Sequence, residues 1–149
     1  METIKKITSN LYETDYLQWI ESNLEKLRQK NYQEVDWENL LEEIEDMGKR
    51  ERRALESNLI VLLLHLLKWQ YQPEKRTGSW ERSILEHRRR IKKALKESPS
   101  LKPYLSTIID ESYSEAIKQA KAETQLPLDT FPQQCPYPLI SILDEQFFE

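Results

Sequence analysis

Hydrophobic residues recur at steps of three or four along most of this chain, which is the spacing that places them on one face of an α-helix. Residues 59–72 are the one stretch that is apolar on every helical face, so we expect a buried central helix there. A first helix is predicted from about residue 15 to 29, because Asp15 and Gln18 have the spacing of a capping box. The hydrophobic pattern therefore predicts a protein built from helices.

The second predicted helix is the longest. It begins after Asp36, a residue type that favours the N-cap, and it ends where Pro73 stops the pattern. Its apolar residues keep helical spacing throughout: Leu40, Leu41, Ile44, Met47, Leu55, Leu59, Leu62, Leu66 and Trp69. Such a helix has about 35 residues and a length of about 53 Å. Gly48 lies inside it, and glycine weakens a helix, so we expect a bend or break near this residue.

Two further helices are predicted in the second half of the chain. The third has Ser79 as its N-cap and ends near Glu97. The fourth runs from about Pro103 to Glu123, because proline discourages a regular helix before it. A Ser-Pro-Ser break at residues 98–100 separates the two helices.

The C-terminal segment is predicted to be an extended strap. Four prolines lie between residues 126 and 138, and they exclude a long helix there. We expect Leu128, Phe131 and Tyr137 to anchor this segment, and a short last helix to begin at Pro138.

These elements predict an all-α protein. Short connections favour antiparallel neighbours, so we expect an up-and-down bundle of four main helices with a C-terminal proline-rich strap and a short last helix. At 149 residues the chain fits one domain, residues 1–149. Within it, residues 1–13 are expected to form a loose N-terminal arm and residues 126–149 the strap.

Composition narrows the classes of function. Charged residues make up 32% of the chain and there are only two glycines, a balance that favours helices over sheets. The net charge of −4 disfavours a general nucleic-acid or anionic-membrane binder. The single Cys135 cannot form an internal disulfide, and the N-terminus lacks the apolar core of a secretory signal. The longest apolar run covers about 14 Å, under half of a bilayer core, so we expect a cytoplasmic protein with no membrane span.

His65 and His87 are the sharpest candidates for a metal site. If the second and third helices are antiparallel, the two histidines lie at one level, and a carboxylate such as Asp110 or Glu111 could complete a ligand set. The alternative is that each histidine is an interior residue hydrogen-bonded to a neighbour. The chain contains no repeated Glu-x-x-His pair and no His-Glu-x-x-His motif, and its sequence predicts no cofactor.

The third predicted helix carries a basic face with candidates for binding a partner. Its members share positive charge and are Arg82, Arg88, Arg89, Arg90, Lys92 and Lys93. Together with Trp80 they could bind a phosphate backbone and stack on bases. The alternative is a solvated face, paired in part with the seven carboxylates between residues 34 and 46. The negative net charge of the chain favours this alternative.

Polar residues enter the central apolar helix near its end. Lys68 either extends its ammonium group to the surface or is buried beside a carboxylate, and in the second case the pair becomes a site candidate. Gln70 and Gln72 could close the end of the helix or line a pocket. Cys135 lies in the strap, where no helix N-terminus or sequence-adjacent histidine lowers the pKa of its thiol, so cysteine catalysis has little support.

Five segments carry a resemblance to a known family. They are WENLLEEIEDMG at residues 37–48, LLLHLLKWQYQPE at 62–74, SWERSI at 79–84, ESPSL at 97–101 and FPQQCPYPL at 131–139. In their order and spacing they resemble the bacterial domain-of-unknown-function family 29, which is common in cyanobacteria. The resemblance covers about residues 12–148 and implies an all-helical, single-domain protein. It supplies no activity, substrate or cofactor.

The sequence thus favours a non-enzymatic cytoplasmic interaction module that binds a protein partner or another copy of itself. One alternative is a metal-dependent enzyme or sensor built on His65 and His87. The other is nucleic-acid binding through the basic helix, residues 82–96.

Overall fold

The structure is a computed structural model that describes residues 11–148. In this part of the chain there are no strands, and the α-helices α1 to α5 are Tyr16–Arg28, Trp37–Tyr71, Gly78–Glu97, Leu101–Thr124 and Leu139–Ile142. The predicted all-α class with four main helices is therefore confirmed. Residues 11–14 are also helical, and residues 1–10 of the predicted N-terminal arm lie outside the described residues, so the arm stays a prediction.

The chain divides into two compact units. The first ends at Lys49 and the second begins at Arg50. The long helix α2 contains residues of both, and it continues through Gly48 without the predicted break. The expectation of one domain stays a prediction.

The first unit contains one exposed helix cap and two buried polar contacts between its elements. Asp15 caps α1 as predicted, with its carboxylate accepting a hydrogen bond from the main-chain N–H of Gln18. The buried Trp19 donates its indole N–H to Asp36 over 2.9 Å, and the main-chain N–H of Asp36 donates to the Asn23 side chain over 2.9 Å. These bonds connect α1 to the start of α2.

The second unit has one hydrophobic core. The second half of α2 contributes the apolar column that the sequence predicts, and Leu59, Leu62 and Leu66 are completely buried. Residues of α3, α4 and the C-terminal segment pack with this column, among them Ile84 and Tyr113.

Two predicted helix starts need correction. The N-cap of α3 is Thr77, which accepts a hydrogen bond from the N–H of Trp80, rather than Ser79. Helix α4 begins at Leu101, two residues before Pro103. Proline is tolerated in the first turn because the N–H groups there have no partner within the helix.

The C-terminal segment packs on the second unit through most of its predicted anchors. Phe131 and Tyr137 are buried, and α5 follows Pro138 as predicted. Tyr113 donates its hydroxyl to the carbonyl of Pro132 over 2.6 Å. Leu128 was the wrong anchor, since 51% of its surface is exposed.

Candidate functional site

Two histidines come together beside one serine in the second unit. His65 lies on α2 and His87 on α3, and Ser83 on α3 lies between them. Its Oγ atom is 3.5 Å from Nδ1 of His65 and 3.2 Å from Nδ1 of His87. The structure thus places both imidazoles at one level, as an antiparallel arrangement of the two helices predicts.

The ring nitrogen that faces the serine already has a partner in each histidine. Nδ1 of His65 is 2.8 Å from the carbonyl oxygen of Val61, and Nδ1 of His87 is 2.7 Å from that of Ser83. A carbonyl only accepts hydrogen bonds, so Nδ1 carries the proton in both rings. Neither Nδ1 atom can then remove the hydroxyl proton of Ser83, so Nδ1 does not act as the base toward this serine.

The environment favours the neutral form of His65. Burial is the main cause that lowers the pKa of this imidazole, and the charges of Lys68 and His87 lower it further. The hydrogen bond to Val61 and the carboxylate of Glu123 act in the opposite direction.

A metal site would need more ligands than these two rings. Among residues 11–148, no group of three or more His, Cys, Asp or Glu side chains is placed to hold a metal ion. Asp110 and Glu111, the carboxylates that the sequence offered as ligands, are exposed on α4. The metal alternative therefore stays a prediction that rests on His65 and His87 alone.

Lys68 is mostly buried and lies beside a carboxylate, which is the second of its two predicted arrangements. Only 12% of its side chain is exposed, and its ammonium group lies 2.8 Å from a carboxylate oxygen of Glu123 on α4. The same group lies 4.5 Å from the ring centre of Trp80. The contacts join α2, α3 and α4 at the end of the bundle where His65 lies, and Glu123 is the member that the sequence did not indicate.

The two glutamines close the end of α2. Gln70 accepts a hydrogen bond of 2.7 Å from the hydroxyl of Tyr137 and so attaches the C-terminal strap to α2. Gln72 is buried just after the helix, and its main-chain N–H donates to the carbonyl of Lys68.

Arg88 was predicted to bind a partner, and this prediction is wrong. Its side chain is buried, with Nε 2.7 Å from the carbonyl of Ile142 and Nη2 2.7 Å from that of Phe147. Burial lowers the pKa of its guanidinium, while Asp144 and Glu145 raise it. Arg88 therefore binds the C-terminal segment and is not available to an external partner.

The other predicted basic residues stay at the surface. Arg82, Arg89 and Arg90 line a groove of about 590 Å³ on α3. Hydrogen bonds from Arg89 and Arg90 lower the pKa of Glu86 to about 2. Because Glu86 already occupies these two arginines, an external phosphate group would compete with it. Nucleic-acid binding stays a prediction.

The thiol of Cys135 is half-buried in the strap. It lies 3.5 Å from the carbonyl of Tyr137, and burial is the main cause that raises its pKa. A protonated thiol is a weak nucleophile, which agrees with the expectation from the sequence.

The sequence reasoning missed an exposed apolar surface in the first unit. Of the twelve large hydrophobic residues that are exposed among the described residues, nine lie before Lys49. Six of them form two rows at helical spacing. The α1 row consists of Leu17, Ile20 and Leu24, and the α2 row consists of Trp37, Leu41 and Ile44.

A signal for this surface was present in the hydrophobic pattern. The α2 row continues, at the same spacing, the positions that are buried further along the helix at Leu55 and Leu59. The pattern showed that the whole row is apolar, but it could not show where along α2 other elements cover it.

Comparison with known proteins now identifies the family. A family model described as "Domain of unknown function DUF29" matches residues 11–148. The chain belongs to the DUF29 family. The resemblance that the sequence motifs carried is thereby confirmed over nearly the whole chain. Neither the curated proteins nor the solved structures contain a significant match to this DUF29 chain.

None of the helices in residues 11–148 combines the length and the apolar character that a membrane crossing requires.

Proposed function

We propose that this protein is a non-enzymatic interaction module that binds a protein partner through the α1 and α2 rows of its first unit. The observation that supports this most strongly is the concentration of exposed apolar side chains before Lys49. Contiguous apolar surface that a protein leaves in water is typical of a binding site, whereas single exposed apolar residues are ordinary.

The two halves of α2 differ sharply in exposure. Leu41 and Ile44 expose 62% and 56% of their surface, whereas Leu55 and Leu59, on the same row, expose 1% and 0%. A partner that covered the α2 row would bury these side chains as the second unit buries its own. At about 25 cal/mol per Å² of apolar surface, each large side chain removed from water contributes on the order of 1 kcal/mol to binding.

The chemistry of the second unit supports a role without catalysis. The Nδ1 atoms of His65 and His87 are engaged by main-chain carbonyls, and Lys68 is engaged by Glu123. Polar groups that satisfy one another in this way stabilise the bundle. We also propose that the protein works in the cytoplasm, since its lone cysteine is a free thiol.

Photo-crosslinking in the native host cell tests the proposal. A benzophenone amino acid replaces Leu41 in the full chain, and a matched control carries it at Ile140, an exposed apolar residue of the second unit. We expect a defined protein adduct from position 41 that is lost when Ile44→Asp is added, and no such adduct from position 140.

Three results would contradict the proposal. They are the absence of an adduct from position 41, equal adducts from positions 41 and 140, and an adduct that mass spectrometry identifies as a second copy of the chain. The last result would replace a separate partner with self-association.

A further inference from the structure

The carboxylates of the first unit indicate what kind of partner the apolar rows bind. We propose that the partner segment is a basic amphipathic helix, which lays its apolar face on the α2 row and its Lys or Arg residues beside the neighbouring carboxylates. This inference rests on the proposed function and names the partner class for the same surface.

Three glutamates form a row parallel to the α2 row. Glu38, Glu42 and Glu45 each follow one residue of the α2 row, and successive residues lie about 100° apart around a helix. The three carboxylates are exposed and share the spacing of the apolar row. We call them the acidic row. They form a charged edge along one side of the α2 row, in which Glu45 also forms an exposed ion pair of 3.4 Å with Lys49.

The same arrangement recurs on α1. The residues that follow Leu17, Ile20 and Leu24 are Gln18, Glu21 and Glu25. All three are exposed, and two are carboxylates. In both rows of the first unit, most apolar residues are thus followed directly in the sequence by an exposed carboxylate.

The charge of the surrounding surface has the same sign. Residues 11–49 contain eleven Asp and Glu side chains and four Lys and Arg side chains. A partner with an apolar surface alone would cover the rows, but the carboxylates of the acidic row would still repel one another. A helix with basic flanks would neutralise that field, and complementary charge is what gives an interface its specificity and fast association.

The shape of the surface favours a helix as the partner. The α2 row presents apolar side chains at steps of three and four residues along one continuous helix. An amphipathic helix presents the same spacing from the other side, and this is a common mode of peptide recognition. An acidic surface of this kind repels nucleic acid and anionic lipid, so those ligands do not fit it.

Synthetic peptides test the partner class on the full chain. Three peptides of about 18 residues, or five helical turns, are compared by fluorescence anisotropy. The first has a leucine row flanked by lysines, the second has glutamates in place of the lysines, and the third has the first composition in shuffled order. We expect the lysine-flanked peptide to bind at least about tenfold more tightly than either other peptide at low salt. Added salt should reduce this preference, because it screens exposed charges.

A charge-reversal variant shows whether the acidic row is responsible. The variant Glu38→Lys/Glu42→Lys/Glu45→Lys should prefer the glutamate-flanked peptide. The matched control Glu74→Lys/Glu81→Lys/Asp129→Lys reverses three exposed carboxylates of the second unit and should keep the wild-type preference. Circular dichroism verifies that both variants retain the helical content of the wild type.

The outcomes separate this inference from the proposed function. Equal binding of the lysine- and glutamate-flanked peptides, or an equal reversal in the control variant, would overturn the basic-helix partner. If the crosslink from position 41 were still present, the proposed function would stand and only the partner class would fall. Loss of that crosslink together with all peptide binding would overturn both.

Discussion

Arg88 is one of seven Lys and Arg residues on α3, and the two arginines that follow it, Arg89 and Arg90, are exposed. It lies four residues after Ile84 and three before Ile91, so it falls on the row that α3 turns to the core. The main-chain carbonyls of Ile142 and Phe147 accept hydrogen bonds from its Nε and Nη2 atoms in place of water. Its position in the helical period indicated burial, although its residue type suggested a surface.

His65 leads to a prediction about pH. Burial lowers the pKa of His65 in the folded protein below its ordinary value of 6.5. At a pH between the lowered pKa of the folded protein and the ordinary pKa of the unfolded chain, His65 binds a proton in the unfolded chain but not in the folded protein. The contribution of neutral His65 to stability is therefore complete above about pH 6.5 and is lost as the pH falls below it.

We expect the melting temperature of the wild type to fall between pH 7.5 and 5.5, and His65→Gln to lose part of this dependence. An NMR titration of the imidazole provides the direct measurement. A His65 pKa at or above about 6.5 would contradict the prediction.

At the scale of the element, α2 shows how a glycine is tolerated inside a long helix. Gly48 is exposed, and a Cβ atom built there would meet no other atom within 4 Å. The expected break did not occur because one glycine costs about 1 kcal/mol relative to alanine, which is less than the packing of a long helix supplies.

This observation gives a prediction about helix stability. Gly48→Ala should stabilise the protein by about 1 kcal/mol and raise its melting temperature by about 2–4 °C, because alanine loses less backbone entropy in a helix. Calorimetry measures the change. Gly78 also has open space around it but is the first residue of α3, so Gly78→Ala serves as the control with a smaller expected gain. An unchanged or lower melting temperature for Gly48→Ala would show that the glycine serves another purpose.

At the scale of the whole molecule, one helix belongs to two units with different surroundings. Residues 62–67 of α2 contain five residues with at most 3% exposure, whereas the first half of α2 contributes no buried residue. Local opening of a helix is easier where little apolar surface is buried. The two halves of α2 should therefore differ in local stability although the helix is continuous.

Hydrogen exchange followed by mass spectrometry measures this difference. We expect amides of residues 62–67 to exchange at least about 100-fold more slowly than those of residues 40–47. Addition of the lysine-flanked peptide should slow exchange in residues 40–47 more than in residues 62–67. Uniform protection along α2 in the free protein would contradict the prediction.

The elements could largely be predicted from the sequence because their signals are local. Helical spacing, the Asp15 cap and Pro73 gave the approximate bounds of α1 and α2. The starts of α3 and α4 were each misplaced by two residues, because Thr77 and Ser79 are both favourable cap residues and because a proline is tolerated in the first turn of a helix.

Part of the candidate site could also be predicted from the sequence. The antiparallel arrangement brought His65 level with His87, but Ser83 and Glu123 have no sequence feature that marks them as partners. Which tautomer the histidines adopt depends on main-chain carbonyls, whose positions exist only once the helices have formed.

The sequence by itself determined that this protein is helical, where its apolar column lies and which family it belongs to, since all three depend on residue type and spacing along the chain. Only the tertiary structure decided that Arg88 is buried, that Lys68 pairs with Glu123 and that the α2 row is exposed at Leu41 but covered at Leu55. The physical reason is that burial depends on which elements cover a face, and a helical period specifies the face without specifying its neighbour.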